Sequence, residues 1–217
     1  MRLLIFYNAK QITLDVISLK AQNTGRGGLA NKGGIAAEVN VNSSTRLAFL
    51  TAHLEAHEGA AKYAMRCSTI ADIFRGTASS VTDCRCDASL VSHFTFFMGD
   101  LNFRTKLTEY EAGSQEHISA THELAGNEDW EALNKHDELS QALRQKDCLV
   151  GFNTPLCLFP PTFKVLRQAG YNYNKKRSPS YTDRILYHTS HRLSGKIKPL
   201  LYEPIDDFTS SDHKPLR

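Results

Sequence analysis

The stretch FTFFMGDLNFR, residues 94–104, places an apolar and aromatic run directly before Gly-Asp-Leu-Asn. The run predicts a buried β-strand, because such residues favour the interior of a sheet. Residues two apart in a strand point to the same side, so Asp100 and Asn102 can both reach one ligand at the carboxyl end of this strand. Open α/β sheets place their sites at that edge. The stretch therefore predicts a functional site as well as a strand.

Length and composition indicate one ordinary globular domain. The chain has 217 residues, of which 41% are hydrophobic and 23% charged, which suits a single sizeable core and argues against wholesale disorder. A formal net charge of +3 is too small to indicate nucleic-acid or membrane binding by itself. The five cysteines form an odd set without CxxC pairs, which predicts reduced thiols. With no leader or membrane span recognised in the sequence, we expect a cytoplasmic protein.

Hydrophobic patterning predicts strands at both ends of the chain and helices between them. The predicted strands cover residues 3–7, 12–19, 34–41, 46–54 and 94–98, followed by YTDRILYH (181–188) and IKPLLYE (197–203). One helix is predicted over residues 57–74, a surface loop over 76–89, and two or three short helices between 105 and 147. This order predicts an α+β or layered sandwich with the strands inside and the helices outside.

Gly-Asp-Leu-Asn is well suited to hydrolytic chemistry. A carboxylate at Asp100 can orient or deprotonate a water. A carboxamide at Asn102 can donate to a phosphoryl oxygen that gains charge in the transition state. A simple turn after a buried strand explains the same residues without any function.

Two segments near the end of the chain, SPSYTDRIL and SSDHKPLR, supply further candidates. Asp212 can hold a divalent cation through a hard oxygen. His213 can donate to a phosphate oxygen if a second carboxylate orients it, and Asp183 offers that carboxylate. The planar guanidinium of Arg184 suits a phosphate. The alternatives are a plain turn at Asp212 and a surface ion pair between Asp183 and Arg184.

Six candidate side chains share a position at the ends of predicted strands. They are His53, Asp100, Asn102, Asp183, Asp212 and His213. An ordinary structural explanation accounts for each one alone, and their coincidence favours a common site. The basic segments GRGGLANKGG, PPTFK and YNYNKKRSPS are typical of solvated charge or a hairpin turn, and the first lacks the residue order of a P-loop. A polyanionic substrate would give all three a role.

Several of these motifs occur together, and in the same order, in one known family. The segments ANKGGIA, HLEAHE, FFMGDLNFR, FPPTFK, RSPSYTDRIL and SDHKP resemble those of inositol polyphosphate 5-phosphatases. These are magnesium-dependent members of the deoxyribonuclease-I-like, or endonuclease/exonuclease/phosphatase, superfamily. The resemblance covers residues 1–217 and implies an α+β fold, a two-layered β-sandwich flanked by helices.

The resemblance also implies a function and its cofactor. It implies hydrolysis of the 5-phosphate of phosphoinositides such as phosphatidylinositol 4,5-bisphosphate, or of soluble inositol polyphosphates, with Mg²⁺. The implied partners are a phosphoinositide headgroup or soluble inositol polyphosphate and a peripheral membrane surface, without nucleic acid. The sequence identifies no protein partner.

Each matching residue acquires an implied catalytic role. Asp100 is implied as the base that activates the attacking water, and Asn102 and His53 as ligands of the scissile phosphate. His213, oriented by Asp183, is implied to stabilise the transferring phosphoryl group.

The resemblance implies a second set of residues around the catalytic group. Asp212 is implied as part of the metal shell. The implied substrate contacts are Lys164, Lys175 and Arg177 at the 4-phosphate, Asn31 and Lys32 at the 1-phosphate nearer the membrane, and Arg184 at a phosphate. Several basic side chains that converge on one multiply charged ring give a selectivity that a single arginine cannot.

The chain also departs from the family pattern. Family members have two further segments before the first predicted strand, which bring an asparagine and a magnesium-binding glutamate, and a closing strand after Asp-His. We therefore expect a fold that is incomplete at both ends, with a catalytically impaired phosphoinositide-binding module or a nuclease-type relative as the alternatives. Phe163 replaces a tyrosine whose hydroxyl would bind the 4-phosphate. We expect this change to weaken substrate binding by roughly 1 kcal/mol or somewhat more. Tyr181 replaces a tryptophan, which we expect to affect packing only.

Overall fold

The computed structural model describes residues 1–25, 31–81 and 84–217. Its elements, in chain order, are β1 (Leu14–Asn23), β2 (Gly33–Val41), β3 (Thr45–His53), α1 (Ala60–Gly76), β4 (Ser79–Val81), β5 (Cys84–Cys86), α2 (Ala88–Val91), β6 (Phe94–Asp100), α3 (Gln115–Gly126), α4 (Trp130–Lys135), α5 (Glu138–Gln145), β7 (Asp183–Thr189) and a 3₁₀ helix (His191–Leu193). Among the described helices, none has both the length and the apolar character needed to cross a membrane.

Five strands form one mixed sheet in the order β1-β2-β3-β6-β7. The first three are antiparallel neighbours, β3 pairs in parallel with β6, and β6 pairs antiparallel with β7. Parallel neighbours need a long crossover connection, and α1 lies within it. The strand predicted from FTFFM is thus β6, an interior strand whose Phe97 is fully buried. A separate small sheet pairs β4 with β5.

The main core lies between α1 and one face of this sheet. Phe74 of α1 stacks on Phe97 of β6 with ring centroids 5.5 Å apart, and Ile73 and Leu50 are fully buried beside them. A Cβ atom at Gly34 would lie 2.5 Å from Cγ2 of Ile73. The helix therefore packs this close to β2 because position 34 carries no side chain.

We expect Gly34→Ala to lower the free energy of unfolding by about 1–3 kcal/mol, because the added methyl group must displace α1 or force Ile73 out of its rotamer. Urea denaturation of the two proteins measures this difference. The control is Gly34→Ala combined with Ile73→Ala, which removes the atoms that clash. The combined loss should be smaller than the sum of the two single losses, and strict additivity would contradict the close approach.

Most of the predicted elements are confirmed. The strands predicted over 12–19, 34–41, 46–54, 94–98 and 181–188 correspond to β1, β2, β3, β6 and β7. The predicted long helix is α1, and the region 105–147 contains α3, α4 and α5. The α+β fold class, with helices flanking a sheet, is confirmed as well.

Two predicted strands are wrong, and one predicted loop contains regular structure. Residues 3–7 have no strand partner in the described structure, and Phe6 is 89% exposed, so the apolar pattern there forms neither sheet nor core. Residues 197–203 are also irregular, and Pro199 within them lacks the amide hydrogen that a ladder needs. The segment 76–89 contains β4, β5 and the start of α2, short elements that periodicity does not detect.

Candidate active site

Three strand ends bring the main site residues into one row. In the sheet register His53 lies opposite Asp100, and Asp100 lies opposite Asp183. Because β7 runs antiparallel to β6, the start of β7 meets the end of β6 at the same edge. On the other side of His53 the row continues to Gly33, directly after Lys32. The predicted convergence of His53, Asp100 and Asp183 is therefore confirmed.

Asp183 and His213 form the most extensively bonded pair in the site. The Asp183 Oδ2 atom accepts hydrogen bonds from Thr162 Oγ1 at 2.8 Å and from Thr182 Oγ1 at 2.9 Å. It also lies 2.9 Å from His213 Nδ1. A backbone bridge between His213 and Phe163 holds the end of the chain in place. The predicted pairing of His213 with a second carboxylate is confirmed, and it directs Nε2 of the ring, rather than Nδ1, towards a ligand.

The two acidic groups and His213 form an acid–base set that is suited to neutral pH. Burial, followed by the negative charge of Asp183, raises the pKa of Asp100 to about 6. Burial alone would lower the pKa of His213, but the hydrogen bond from its ring to Asp183 and the charge of that carboxylate raise it above 6.5. Between these two pKa values Asp100 is ionised while His213 is protonated, which is the arrangement that a base and a proton donor require.

Lys32 lies inside the site, beside His53. Its Nζ atom is 2.6 Å from His53 Nε2, which in turn is 3.4 Å from Asp100 Oδ2. Burial, followed by the charge of Lys32, lowers the pKa of His53 to about 4. Burial also lowers the pKa of Lys32. His53 is therefore neutral near pH 7, and its ring can accept a hydrogen bond from Lys32.

We expect the two histidines to titrate far apart, His53 near pH 4 and His213 above pH 6.5. NMR of the imidazole C2–H signals measures both. Lys32→Met should raise the pKa of His53 and leave that of His213 nearly unchanged. Between pH 6.5 and about 4, His53 is protonated in the unfolded chain but neutral in the folded chain. This group therefore lowers the free energy of unfolding as pH falls through that range. Titration of both rings near 6.5 would contradict this geometry.

Asn102 is held beneath the row of site residues. It is 3% exposed, its Nδ2 donates to the Leu54 carbonyl at 3.0 Å, and its Oδ1 accepts from Arg104 at 2.5 Å. One of its two Nδ2 hydrogens is thus used to tie the end of β6 to the end of β3, and a phosphate oxygen can take only the other. The role of Asn102 as a phosphate ligand stays a prediction.

Arg104 is a site residue that the sequence analysis missed. Its guanidinium carbon lies 4.4 Å from the centre of the Phe163 ring, and its side chain fixes the amide of Asn102. Its charge also opposes the rise in the pKa of Asp100. The sequence did contain a clue to this role. Arg104 directly follows a buried motif, and a charged side chain in such a position needs a polar partner inside the protein. Thr162 and Thr182, which hold Asp183, gave no comparable signal.

The predicted phosphate contact of Arg184 is wrong. Arg184 is 2% exposed, and its guanidinium lies 2.7 Å from Asp137. Successive strand residues point to opposite faces, so Arg184 points away from the site that Asp183 faces. It shares its face with the fully buried Leu186.

Asp212 forms an ion pair with a lysine. Its Oδ2 is 2.8 Å from Lys164 Nζ. In the part of the chain that the structure describes, the acidic and histidine side chains at metal-ligand spacing are Asp100, Asp183 and His213, whose ligand atoms all lie within 4.8 Å of one another. Asp100 and Asp183 are thus the carboxylates that the geometry favours for a metal centre, and the metal-binding role of Asp212 stays a prediction.

The remaining predicted substrate contacts lie around the site. Lys164 is half-buried, with its Nζ 5.9 Å from the centre of the Phe163 ring. Lys175 and Arg177 are exposed, and His122 of α3 donates to the Arg177 carbonyl at 3.0 Å. Asn31 is exposed next to Lys32, whereas residues 26–30 of the glycine-rich segment lie outside the described residues. The phosphate contacts of all these residues stay predictions.

The carboxylate pair fits a hard divalent cation. Asp100 and Asp183 face each other across the end of the sheet, and their mutual repulsion contributes to the raised pKa of Asp100. A cation between carboxylate oxygens would relieve that repulsion, and oxygen is the ligand atom that Mg²⁺ and Ca²⁺ prefer.

Several curated relatives of this chain are named as inositol polyphosphate 5-phosphatases or as synaptojanin. The chain is 32% identical over 145 residues to human phosphatidylinositol polyphosphate 5-phosphatase type IV, which covers 66% of this chain and 20% of the relative. It is 30% identical over 209 residues to synaptojanin of Caenorhabditis elegans, covering 94% of the chain and 17% of the relative. Against type I inositol polyphosphate 5-phosphatase 1 of Arabidopsis thaliana it is 27% identical over 200 residues, covering 88% and 31%. The chain thus spans less than a third of the length of each of these relatives.

Solved structures share the fold. The inositol polyphosphate 5-phosphatase domain of SPsynaptojanin, in complex with inositol (1,4)-bisphosphate and calcium ion, matches with a TM-score of 0.72 at 25% identity, over 95% of this chain and 54% of that one. Cimex nitrophorin matches with a TM-score of 0.62 at 21% identity, over 95% and 62%, which shows the fold alone. A family profile described as Endonuclease/Exonuclease/phosphatase family 2 matches residues 1–217. The chain therefore belongs to endonuclease/exonuclease/phosphatase family 2, and its relatives place it with the inositol polyphosphate 5-phosphatase catalytic domains.

Proposed function

We propose that this chain hydrolyses the 5-phosphate of an inositol polyphosphate, either a phosphoinositide lipid such as phosphatidylinositol 4,5-bisphosphate or a soluble headgroup. The observation that carries the proposal is the convergence of Asp100, Asp183 and His213 within 4.8 Å. Lys32 and Lys164 flank this group. The names of the relatives supply the substrate class.

The proposed reaction is a direct displacement by water at phosphorus. Asp100, ionised above its pKa of about 6, takes the proton of the attacking water as the water oxygen bonds to phosphorus. The bond between phosphorus and the inositol oxygen breaks, and that oxygen takes up a proton from solvent to leave as a ring hydroxyl. His213, held by Asp183, donates to a phosphoryl oxygen through its protonated ring and stabilises the charge that accumulates there. Lys32 and Lys164 orient the substrate through its phosphates.

We propose Mg²⁺ as the cofactor, with Asp100 and Asp183 as the residues that would hold it. When bound, the ion supplies Lewis-acid polarisation of a phosphoryl oxygen. The protein residues still position the water and the substrate. Chelation with EDTA should therefore abolish turnover, and added Mg²⁺ should restore it.

Phosphate release with Mg²⁺ from phosphatidylinositol 4,5-bisphosphate vesicles and from inositol 1,4,5-trisphosphate tests this function. Phosphatidylinositol 4-phosphate, which lacks the 5-phosphate, is the matched control. We expect release from at least one of the first two substrates and none from the control. Release from the control, or from none of the three, would contradict the proposal.

A second candidate function is binding without turnover. The exposed Lys175 and Arg177, together with Lys164, offer charge to a headgroup independently of the carboxylate cluster. A chain that binds these vesicles in the presence of Mg²⁺ but releases no phosphate would be such a module. In either case we propose a cytoplasmic protein that acts at membrane surfaces, because exposed lysine and arginine side chains attract anionic headgroups.

A further inference from the structure

A cavity of about 710 Å³ lies between α1, α2 and the segment that follows α5. Its apolar wall includes Phe74 and Phe152, and two cysteines, Cys67 of α1 and Cys148 after α5, line it together. Its lining, within the described structure, includes none of the candidate active-site residues. A small solute can therefore reach the two thiols without entering the active site.

The two cysteines line the same cavity and pack in the same core. Their thiols are free and lie close enough for each to shift the pKa of the other, although they belong to segments far apart in the sequence. Cys148 is 8% exposed, and Cys67 is half-buried. Both belong to the main apolar core or pack against it, so the surrounding side chains hold them side by side. This proximity is the first requirement for a disulfide.

The environment of the two thiols makes them chemically unequal. The hydrogen bond from Cys148 lowers the pKa of Cys67 despite burial. The same hydrogen bond, followed by burial, raises the pKa of Cys148. Because the thiolate is the nucleophile, Cys67 is the thiol that attacks an oxidant first, and Cys148 is the thiol that resolves the product. Burial raises the pKa of the fully buried Cys157 to about 11, which makes that thiol inert.

We propose that Cys67 and Cys148 form a redox modification site at which a peroxide produces a reversible disulfide between α1 and the segment after α5. The Cys67 thiol gives its proton to solvent, and its thiolate sulfur attacks one oxygen of hydrogen peroxide. The O–O bond breaks, a sulfenic acid forms, and the departing hydroxide takes up a proton from solvent to become water. The Cys148 sulfur then attacks the Cys67 sulfur, the S–O bond breaks, and a second water leaves with the Cys148 proton. Two thiols are thereby oxidised to one disulfide while one peroxide is reduced to two waters.

Peptide mapping of the folded 217-residue chain tests the proposal. After treatment with hydrogen peroxide and alkylation, mass spectrometry under non-reducing conditions should show a loss of two thiols per chain. It should also show one linked peptide pair containing Cys67 and Cys148, which dithiothreitol releases. A second mapping in the Cys84→Ser/Cys86→Ser background removes the two cysteines that lie two residues apart in the sequence, so that they contribute no thiols to the count. An unchanged thiol count, or a linkage that involves Cys157, would overturn the proposal.

Single variants test the order of the two steps. In Cys148→Ser, peroxide should leave a sulfenic acid at Cys67 that dimedone traps, whereas Cys67→Ser should give no adduct at Cys148. Cys157→Ser is the matched control and should form the disulfide in the wild-type yield. Equal trapping at Cys67 and Cys148 in the two variants would contradict their assigned roles. The mapping of the unsubstituted chain remains decisive if a variant fails to fold.

Discussion

Asp100→Asn is expected to lower phosphate release from phosphatidylinositol 4,5-bisphosphate by about 10²–10⁴-fold, because it removes the general base without changing the size of the side chain. Asparagine keeps an oxygen that can accept the backbone N–H of Asn102, a bond that Asp100 Oδ1 makes at 3.2 Å. The fold around the site should therefore persist. The loss should appear in kcat, with headgroup affinity changed much less.

The pH dependence provides a second measure of the same role. Because Asp100 acts as a base only when ionised, the wild-type rate should rise with pH as this carboxyl loses its proton. With Mg²⁺ bound the rise should come below pH 6, because the cation would favour the ionised form. Any residual rate of Asp100→Asn should lack that rise. Asp212→Asn is the matched control, because Asp212 pairs with Lys164 outside the carboxylate cluster. We expect its main effect on KM. Wild-type turnover by Asp100→Asn, or an equal kcat loss in both variants, would rule out Asp100 as the base.

Arg184→Met should lower the free energy of unfolding by about 3–5 kcal/mol, because it leaves the carboxylate of Asp137 buried without its cation. Both side chains of this ion pair are about 1% exposed, and the two charged atoms lie 2.7 Å apart. Urea denaturation measures the loss. Asp137 also accepts a hydrogen bond from the Ser140 amide at the start of α5, so the pair links β7 to that helix.

Combining Arg184→Met with Asp137→Leu provides the control for this prediction. Removing both charges avoids the unpaired carboxylate, so the double variant should regain part of the stability that Arg184→Met loses, although it forfeits the cap of α5. The KM of the folded single variant should stay near the wild-type value. A stable Arg184→Met protein with a strongly raised KM would instead support the phosphate contact that the sequence predicted for Arg184.

The sequence predicted local features better than contacts between distant segments. The strand β6 and its terminal Asp100 could be predicted because a few consecutive residues, a dense apolar run that ends in a turn, determine them. The pairing of Asp183 with His213 was also foreseen, because a histidine that acts on phosphate needs a carboxylate partner. Asn102 was predicted to bind the scissile phosphate, but its side-chain amide is hydrogen-bonded to Leu54 and Arg104. Only the packed structure reveals these contacts.

The error at Arg184 has a simple physical origin. Asp183 and Arg184 are adjacent in a strand, so only one of them can face the site, and residue type alone does not say which. The buried Leu186, two residues further on, marks the face that Arg184 shares. The predicted strands at 3–7 and 197–203 failed for a related reason, because apolar alternation indicates a strand only where a neighbouring strand supplies the ladder.

In the proposed complex with substrate, His53, Asp100, Asp183 and His213 surround one phosphoryl group. The most direct measurement is an NMR titration of the slowly reacting Asp100→Asn protein with inositol 1,4,5-trisphosphate in the presence of Mg²⁺. We expect saturable shifts of the ring signals of both His53 and His213 at the same ligand concentration. Shifts confined to the exposed loop of Lys175 and Arg177, with both histidine rings unaffected, would contradict it.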